Sequence, residues 1–177
     1  MTTETTERLK VRTSSASEHQ QALEITVAAY EEYAKVLRPE YWESYREHIL
    51  ETLTDFGAAE QWVAVQDSSI LGTALFYAPG ASIGKDIEDF AMSPDCPEVR
   101  LLAVSPAGRG QGVGRALMEA CVERARETGA PGLVLHTMAI MEAARALYSS
   151  MGFVRAPELD FQPAREWFVE GFRLDFG

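Results

Sequence analysis

Residues 109–115, RGQGVGR, place three glycines in seven positions, shortly after the apolar run EVRLLAV and directly before a strongly helical stretch. A glycine-rich turn between a strand and a helix directs backbone N–H groups and the helix N-terminus towards one point. Such a turn binds phosphate groups, and it requires a fold that contains both strands and helices. The simpler interpretation is that Gly110, Gly112 and Gly114 only permit a tight turn and close packing of the helix on the strand.

Two well-known phosphate motifs do not fit this segment. A P-loop requires GxxxxGK[ST], and no Gly-Lys-Ser or Gly-Lys-Thr occurs in the sequence. The dinucleotide motif GxGxxG fails as well, because its last position falls on Val113 when it is read from Gly108 and on Arg115 when it is read from Gly110. The pattern that remains is Arg109-x-x-Gly-x-Gly leading into a helix, which favours a pyrophosphate ligand.

The hydrophobic periodicity predicts the element order β-α-α-β-β-β-α-β-α-β-β. Helices are expected from Ser15, with Glu18 completing a capping box, over residues 39–55, from Val113 to Gly129 and from Ile140 to Met151. Strands are expected at residues 9–13, 62–65, 70–77, 98–104, 132–137, 152–156 and 166–174.

Length and composition suit one globular domain. The chain has 177 residues, of which 46% are hydrophobic, so residues 7–177 are expected to form a single domain. Residues 1–6 are rich in Thr and Glu and are expected to form a flexible tail. Residues 79–97 predict a long loop, of the kind that overhangs a substrate cleft.

The charge and the cysteine content exclude several classes of function. A net charge of −11 argues against a nucleic-acid partner, since such proteins need a basic face. The negative field favours cationic small molecules, although acidic surfaces also serve solubility. Cys96 and Cys121 lack the spacing of a disulfide framework or a zinc site. No apolar run is long enough for a membrane span, and no secretory leader is recognised, so a cytoplasmic protein without a membrane partner is expected.

The segment LLAVSPAGRGQGVGRAL is similar to the signature (R/Q)xxGxG/A of the GCN5-related N-acetyltransferase (GNAT) superfamily, which holds the pyrophosphate of coenzyme A with it. The following helix, the strand GLVLHT and the segment EAARALYSSMGFVRA also come in that family's order, so the resemblance covers roughly residues 60–176. It implies an α/β (α+β) GNAT fold, a mixed central sheet of about six or seven strands flanked by about four helices. The last third of the chain also shows a looser resemblance to a bacterial GNAT subgroup.

The resemblance implies acetyl-CoA as cosubstrate and no metal. It assigns binding of the coenzyme to backbone amides near the end of one strand and to the glycine turn: Leu102, Ala103, Val104, Arg109, Gly110, Gln111, Gly112, Val113, Gly114 and Arg115. Arg109 and Arg115 flank the turn and add charge to it, unless they are ordinary surface arginines.

Two side chains are expected to be catalytic. Glu98 matches the place where many GNAT enzymes carry a glutamate that deprotonates the amine, directly or through water; the alternative is an exposed residue at a strand end. Tyr148 matches the tyrosine that donates a proton to the coenzyme sulfur; its alternative is a core aromatic residue. Where the family often has Asn, this sequence has Met141, which removes a hydrogen bond to the pantetheine arm.

The sequence constrains the acceptor site less than it constrains the other candidate sites. Tyr30, Tyr33, Tyr41 and Trp42 are candidate lining residues, although helical spacing alone also explains them. His136 ends a strand beside the expected cleft and is a candidate base, an acceptor-binding group or a structural histidine.

The expected function is transfer of an acetyl group from acetyl-CoA to a primary amine of a small molecule, by direct transfer in a ternary complex. A protein lysine or N-terminus is the alternative acceptor, and a non-catalytic acyl-CoA-binding module is the alternative class. A homodimer is a further possibility, because GNAT proteins are often dimers.

Overall fold

The computed structural model describes residues 8–81, 93, 95–165 and 167–177. The expected N-terminal tail and most of the expected loop over residues 79–97 lie outside the described residues. The helices are α1 (His19–Tyr30), α2 (Pro39–Thr54), α3 (Val113–Glu127) and α4 (Glu142–Ser150). The strands are β1 (Lys10–Thr13), β2 (Glu60–Gln66), β3 (Ser69–Tyr77), β4 (Glu98–Val104), β5 (Gly132–Thr137), β6 (Val154–Arg155), β7 (Phe161–Ala164) and β8 (Trp167–Asp175).

The strands form one mixed sheet in the order β1-β2-β3-β4-β5-β8-β6, with β7 paired to β8. All neighbouring pairs are antiparallel except β4 and β5, which are parallel. The predicted fold class and the four helices are therefore confirmed. The described residues hold eight strands, one more than the periodicity predicts, because β7 is short and contains Pro163, which disguises its strand pattern.

Helices cover both faces of the sheet, as the alternation of side chains along β3 requires. Phe76 faces α3 and packs in a cluster with Met118 and Cys121. Tyr77, the next residue, faces the other way and packs with Ile49 of α2. The core is thus divided into two layers by the sheet.

The first helix differs from its prediction. Residues 16–18 and 31–35 form 3-10 turns, and only the segment between them is α-helical. Glu18 accepts a hydrogen bond from the backbone N–H of Ser15 at 2.8 Å, as a capping box requires, but it caps the 3-10 turn. The turn over residues 31–35 brings its side chains to the cleft described next.

Candidate functional site

A cleft of about 570 Å³ lies where β4 and β5 separate. Its walls come from α1 and the turn after it, β4, the glycine turn, the end of β5 and α4. All the predicted site residues line this cleft except Glu98, Gln111, Tyr41 and Trp42. The structure therefore brings residues from five separate segments into one concave site.

The cleft exists because the two parallel strands pair over a short distance. Among the described residues, β4 and β5 pair only at Glu98 with Val134 and at Val99 with Leu135. Beyond these pairs the strands diverge. A bulge in β4, where Leu101 has a φ of +50°, accompanies the divergence. Bulges increase local twist and turn a strand away from its neighbour, so the bulge helps to open the sheet here.

The divergence leaves backbone groups of β4 without a strand partner. The N–H of Ser105 donates to the carbonyl of Leu71 on β3, and Ala103 is opposite Thr73 on the same strand. Because backbone groups alternate between the two edges of a strand, those of Leu102 and Val104 point to the open edge. Of the three predicted amides, these two are placed to meet an extended ligand, whereas that of Ala103 faces β3.

The glycine turn has the geometry of an anion-binding nest. Gly110 and Gly112 have φ values of +71° and +77°, and a Cβ atom at either position would meet nothing within 4 Å. The first intrahelical bond of α3 runs from the N–H of Ala116 to the carbonyl of Gly112, at 2.9 Å. The N–H groups of residues 113–115 precede this bond and are left for a ligand.

Close packing alone does not explain all the glycines in this region. It explains Gly108, where a Cβ atom would lie 2.9 Å from the carbonyl oxygen of Leu71. Gly114 has ordinary contacts, since its Cβ would lie 3.4 Å from the Cδ2 atom of Leu147. Gly110 and Gly112 are required instead by their left-handed backbone and face open space.

Two arginines stand at the mouth of the nest, and both side chains are about half exposed. The guanidinium of Arg109 lies 3.0 Å from the carboxylate of Glu32, on the turn after α1. Arg115 donates to the hydroxyl of Ser150 at 2.7 Å. The Gln111 side chain donates to the carbonyl of Ala107, so only the backbone of this residue faces the nest.

Glu98 and His136 form a pair that the sequence analysis did not anticipate. The Glu98 side chain is 0% exposed, which excludes the exposed alternative. Its Oε1 lies 3.0 Å from Nδ1 of His136, and Nε2 of His136 lies 2.9 Å from the carbonyl oxygen of Leu159. Glu98 thus lies behind His136, and His136 faces the cleft.

The hydrogen bonds of this pair define its protons. A carbonyl oxygen can only accept, so Nε2 of His136 carries a hydrogen. Nδ1 then either donates to a carboxylate or accepts from a protonated Glu98. Oε2 of Glu98 is buried and has no hydrogen-bond partner among the described residues.

Tyr148 belongs to both the core and the cleft. Its side chain is 6% exposed, packs with Phe153 at a ring separation of 5.9 Å, and lines the cleft. Burial raises the pKa of Tyr148, so its hydroxyl stays protonated and can donate. Met141 also lines the cleft, and its sulfur accepts from the hydroxyl of Thr137 at 3.4 Å.

The aromatic residues divide into two groups. Tyr30 and Tyr33 line the cleft, with their rings 5.9 Å apart. Trp42 does not line it and packs instead on Tyr45, which in turn packs on Trp167. Trp42 lies outside this cleft, and its role in acceptor binding stays a prediction. Glu32, which lines the cleft, was missed, since no local pattern distinguishes it.

Within the described ranges, the structure has no group of three or more His, Cys, Asp and Glu side chains that would hold a metal ion. No described helix combines the length and the apolar character that crossing a membrane requires.

Comparison with known proteins gives a consistent result. The model of the acetyltransferase (GNAT) family matches residues 23–153. N-acetyltransferase 8 of Rattus norvegicus is 31% identical over 146 residues, which cover 76% of this chain and 60% of that protein. L-2,4-diaminobutyric acid acetyltransferase of Nocardia farcinica is 29% identical over 124 residues, which cover 60% of this chain and 64% of that protein. The chain thus matches about three fifths of the length of these relatives.

The fold is shared with solved structures. A GNAT family acetyltransferase of Brucella melitensis, solved in complex with acetyl-CoA, superposes with a TM-score of 0.60. The alignment covers 96% of this chain and 89% of that one, at 20% identity.

Proposed function

Because this chain belongs to the acetyltransferase (GNAT) family, we propose that its cleft binds acetyl-CoA and that the protein transfers the acetyl group to a primary amine of a small molecule. The observation that carries the proposal is the junction of two features. A nest for a pyrophosphate, with Gly110 and Gly112 in the left-handed region, opens directly onto the free edge of β4. One extended ligand with a pyrophosphate at one end fits both features.

The proposed binding mode uses the chain's own donors. The nest and Arg109 and Arg115 hold the pyrophosphate, and binding there requires Arg109 to exchange Glu32 for the ligand. The open-edge N–H groups of Leu102 and Val104 donate to the pantetheine arm and orient the carbonyl of the thioester. Met141 places a thioether where the family often has an amide, so the arm gains no hydrogen bond there.

The transfer step needs a neutral amine and a proton for the departing thiolate. We assign the first task to Glu98 acting through water, because its side chain is buried and does not line the cleft. Both ring nitrogens of His136 are engaged, one by Glu98 and one by the carbonyl of Leu159, so His136 positions Glu98 and does not take the proton itself. Tyr148 donates to the sulfur. Burial raises the pKa of Cys121 to about 12, which supports direct transfer without a thiolate nucleophile.

The acceptor proposal rests on likeness, because one relative is an L-2,4-diaminobutyric acid acetyltransferase. A protein lysine or N-terminus remains the second candidate acceptor. We further propose that residues 7–177 act as one cytoplasmic domain, and a homodimer stays a prediction.

Isothermal titration with acetyl-CoA, together with detection of CoA thiol release across a panel of amines, tests the proposal. Tight binding with release that depends on the amine would establish the transferase and its acceptor class. Binding without release for any small amine or peptide would favour a non-catalytic module. Absence of binding would reject the proposed role of the glycine turn.

The Glu98→Gln variant tests the assignment of the proton acceptor. The amide can still donate to Nδ1 of His136, so this hydrogen bond is retained, while the carboxylate that takes the proton is lost. We expect unchanged affinity for acetyl-CoA and a kcat lower by about 100-fold or more. An unchanged kcat would remove the pair from the mechanism.

A further inference from the structure

Tyr30 lies across the open edge of β4. Its hydroxyl donates to the carbonyl of Leu102 at 3.3 Å, and its ring lines the cleft. Leu102 is one of the two residues whose backbone groups face the cleft. A side chain on α1 therefore occupies part of the edge that an extended ligand would use.

Tyr30 lies in the part of the cleft that would hold the acyl end of the ligand. The nest follows the C-terminal end of β4, and the β4 lining of the cleft runs back from Val104 to Val99. An acyl-CoA with its pyrophosphate in the nest must therefore extend towards the beginning of β4. Its acyl end reaches the part of the strand that Tyr30 covers.

Several contacts hold the Tyr30 ring in place. It meets the ring of Tyr33 at 5.9 Å and that of Tyr45 at 5.9 Å, both edge to face. It also packs against the apolar cluster between α2 and β3. With its hydroxyl bonded to Leu102, the ring cannot turn aside without losing packing and a hydrogen bond. It forms a fixed wall.

We propose that Tyr30 limits the acyl chain that the cleft accepts, so that the enzyme selects acetyl over longer acyl groups. This inference rests on the proposed function. Tyr30, Leu101 and Tyr45 all pack against the same apolar cluster. Truncation of Tyr30 would join this apolar region to the cleft and make room for the additional methylenes of a longer chain.

The test compares acetyl-CoA and butyryl-CoA binding by isothermal titration, which needs no acceptor. The wild type should bind acetyl-CoA and bind butyryl-CoA at least tenfold more weakly. In Tyr30→Ala the butyryl-to-acetyl affinity ratio should rise by about 15-fold, at about fourfold for each of two buried methylenes. Tyr30→Leu, which keeps apolar packing, should shift the ratio in the same direction if the alanine variant does not fold.

Two control variants distinguish the effect of removing the Tyr30 ring from a general loss of structure. Tyr30→Phe keeps the ring and loses only the hydroxyl, so it should retain the wild-type ratio. Tyr41→Ala removes a tyrosine of α2 that does not line the cleft and should also retain it. Equal binding of both acyl-CoAs by the wild type, or an unchanged ratio in the alanine and leucine variants, would overturn the inference. If the wild type binds neither acyl-CoA, the proposed function itself fails.

Discussion

Gly112 offers a direct test of the nest, because its role depends on the sign of one backbone angle. Its φ of +77° and ψ of 8° place it in the left-handed region at the N-cap of α3. An L-residue there costs about 1–2 kcal/mol. Alanine also lowers the conformational entropy of the unfolded chain, and this raises the stability of Gly112→Ala by about 0.4–1 kcal/mol. The variant should therefore be less stable by about 1 kcal/mol, a fall in Tm of about 2–4 °C for a chain of this size.

The same substitution should impair the ligand site more than the fold. A Cβ atom at Gly112 meets no protein atom within 4 Å and projects into open space beside the free N–H groups of α3. It would lie close to a bound phosphate, and relief of backbone strain would reorient those N–H groups. We expect acetyl-CoA to bind at least tenfold more weakly, measured by isothermal titration, with Tm measured by circular dichroism.

Gly114→Ala is the matched control. Gly114 lies in the first turn of α3, and its Cβ would make ordinary contacts, at 3.4 Å with Leu147 and 3.5 Å with Val104. Alanine is favoured over glycine in a helix by up to about 1 kcal/mol. This variant should be as stable as the wild type or more stable, and the signature itself admits alanine here. If the two variants had equal stability and equal affinity, the argument from the left-handed backbone would be refuted.

Three further predictions concern single side chains. Tyr148→Phe should slow acetyl transfer by about 100-fold or more, while affinity for acetyl-CoA changes less than twofold; equal rates would remove this hydroxyl from the mechanism. Cys96 and Cys121 are both buried, and burial raises the pKa of Cys121 to about 12. The native protein should therefore resist alkylation at pH 8, and the unfolded protein should react at two thiols. Rapid labelling of the native protein would contradict this prediction. The hydrogen bond from Arg12 lowers the pKa of Glu18 from 4.5 to about 2, so this pair stabilises the fold fully above about pH 4.5 and loses its effect as the pH falls to 2. Urea denaturation of Glu18→Gln should show a loss below about 1 kcal/mol at pH 7, because the pair is near the surface, and no loss near pH 2; a difference that persists at pH 2 would contradict the assignment.

The sequence could predict those features whose cause is local. The glycine turn between β4 and α3 was recognised because a nest needs glycines at fixed positions within a few residues. The helices α2 and α3 were recognised from apolar residues at helical spacing, and Pro39 and Gly129 marked a start and an end. In each case the signal and the structure lie within the same short segment.

The tertiary structure decided which side chains meet in the cleft. Glu98 was expected to accept the proton directly or through water, and strand pairing places it behind His136, 38 residues along the chain. The contact of Tyr30 with Leu102 joins residues 72 positions apart. Trp42 has the same helical spacing that a lining residue would have, yet the packing of α2 turns it away.

The physical reason for this division is the range of the interactions. Backbone conformation and amphipathic periodicity are fixed by neighbours in sequence, so the chain itself determines the nest and the elements around it. The separation of β4 from β5 depends on how strands of the whole sheet twist and pair, and no single segment carries that information. The conformation of the glycine turn was therefore determined by the sequence, whereas the composition of the cleft beside it was determined only by the assembled sheet.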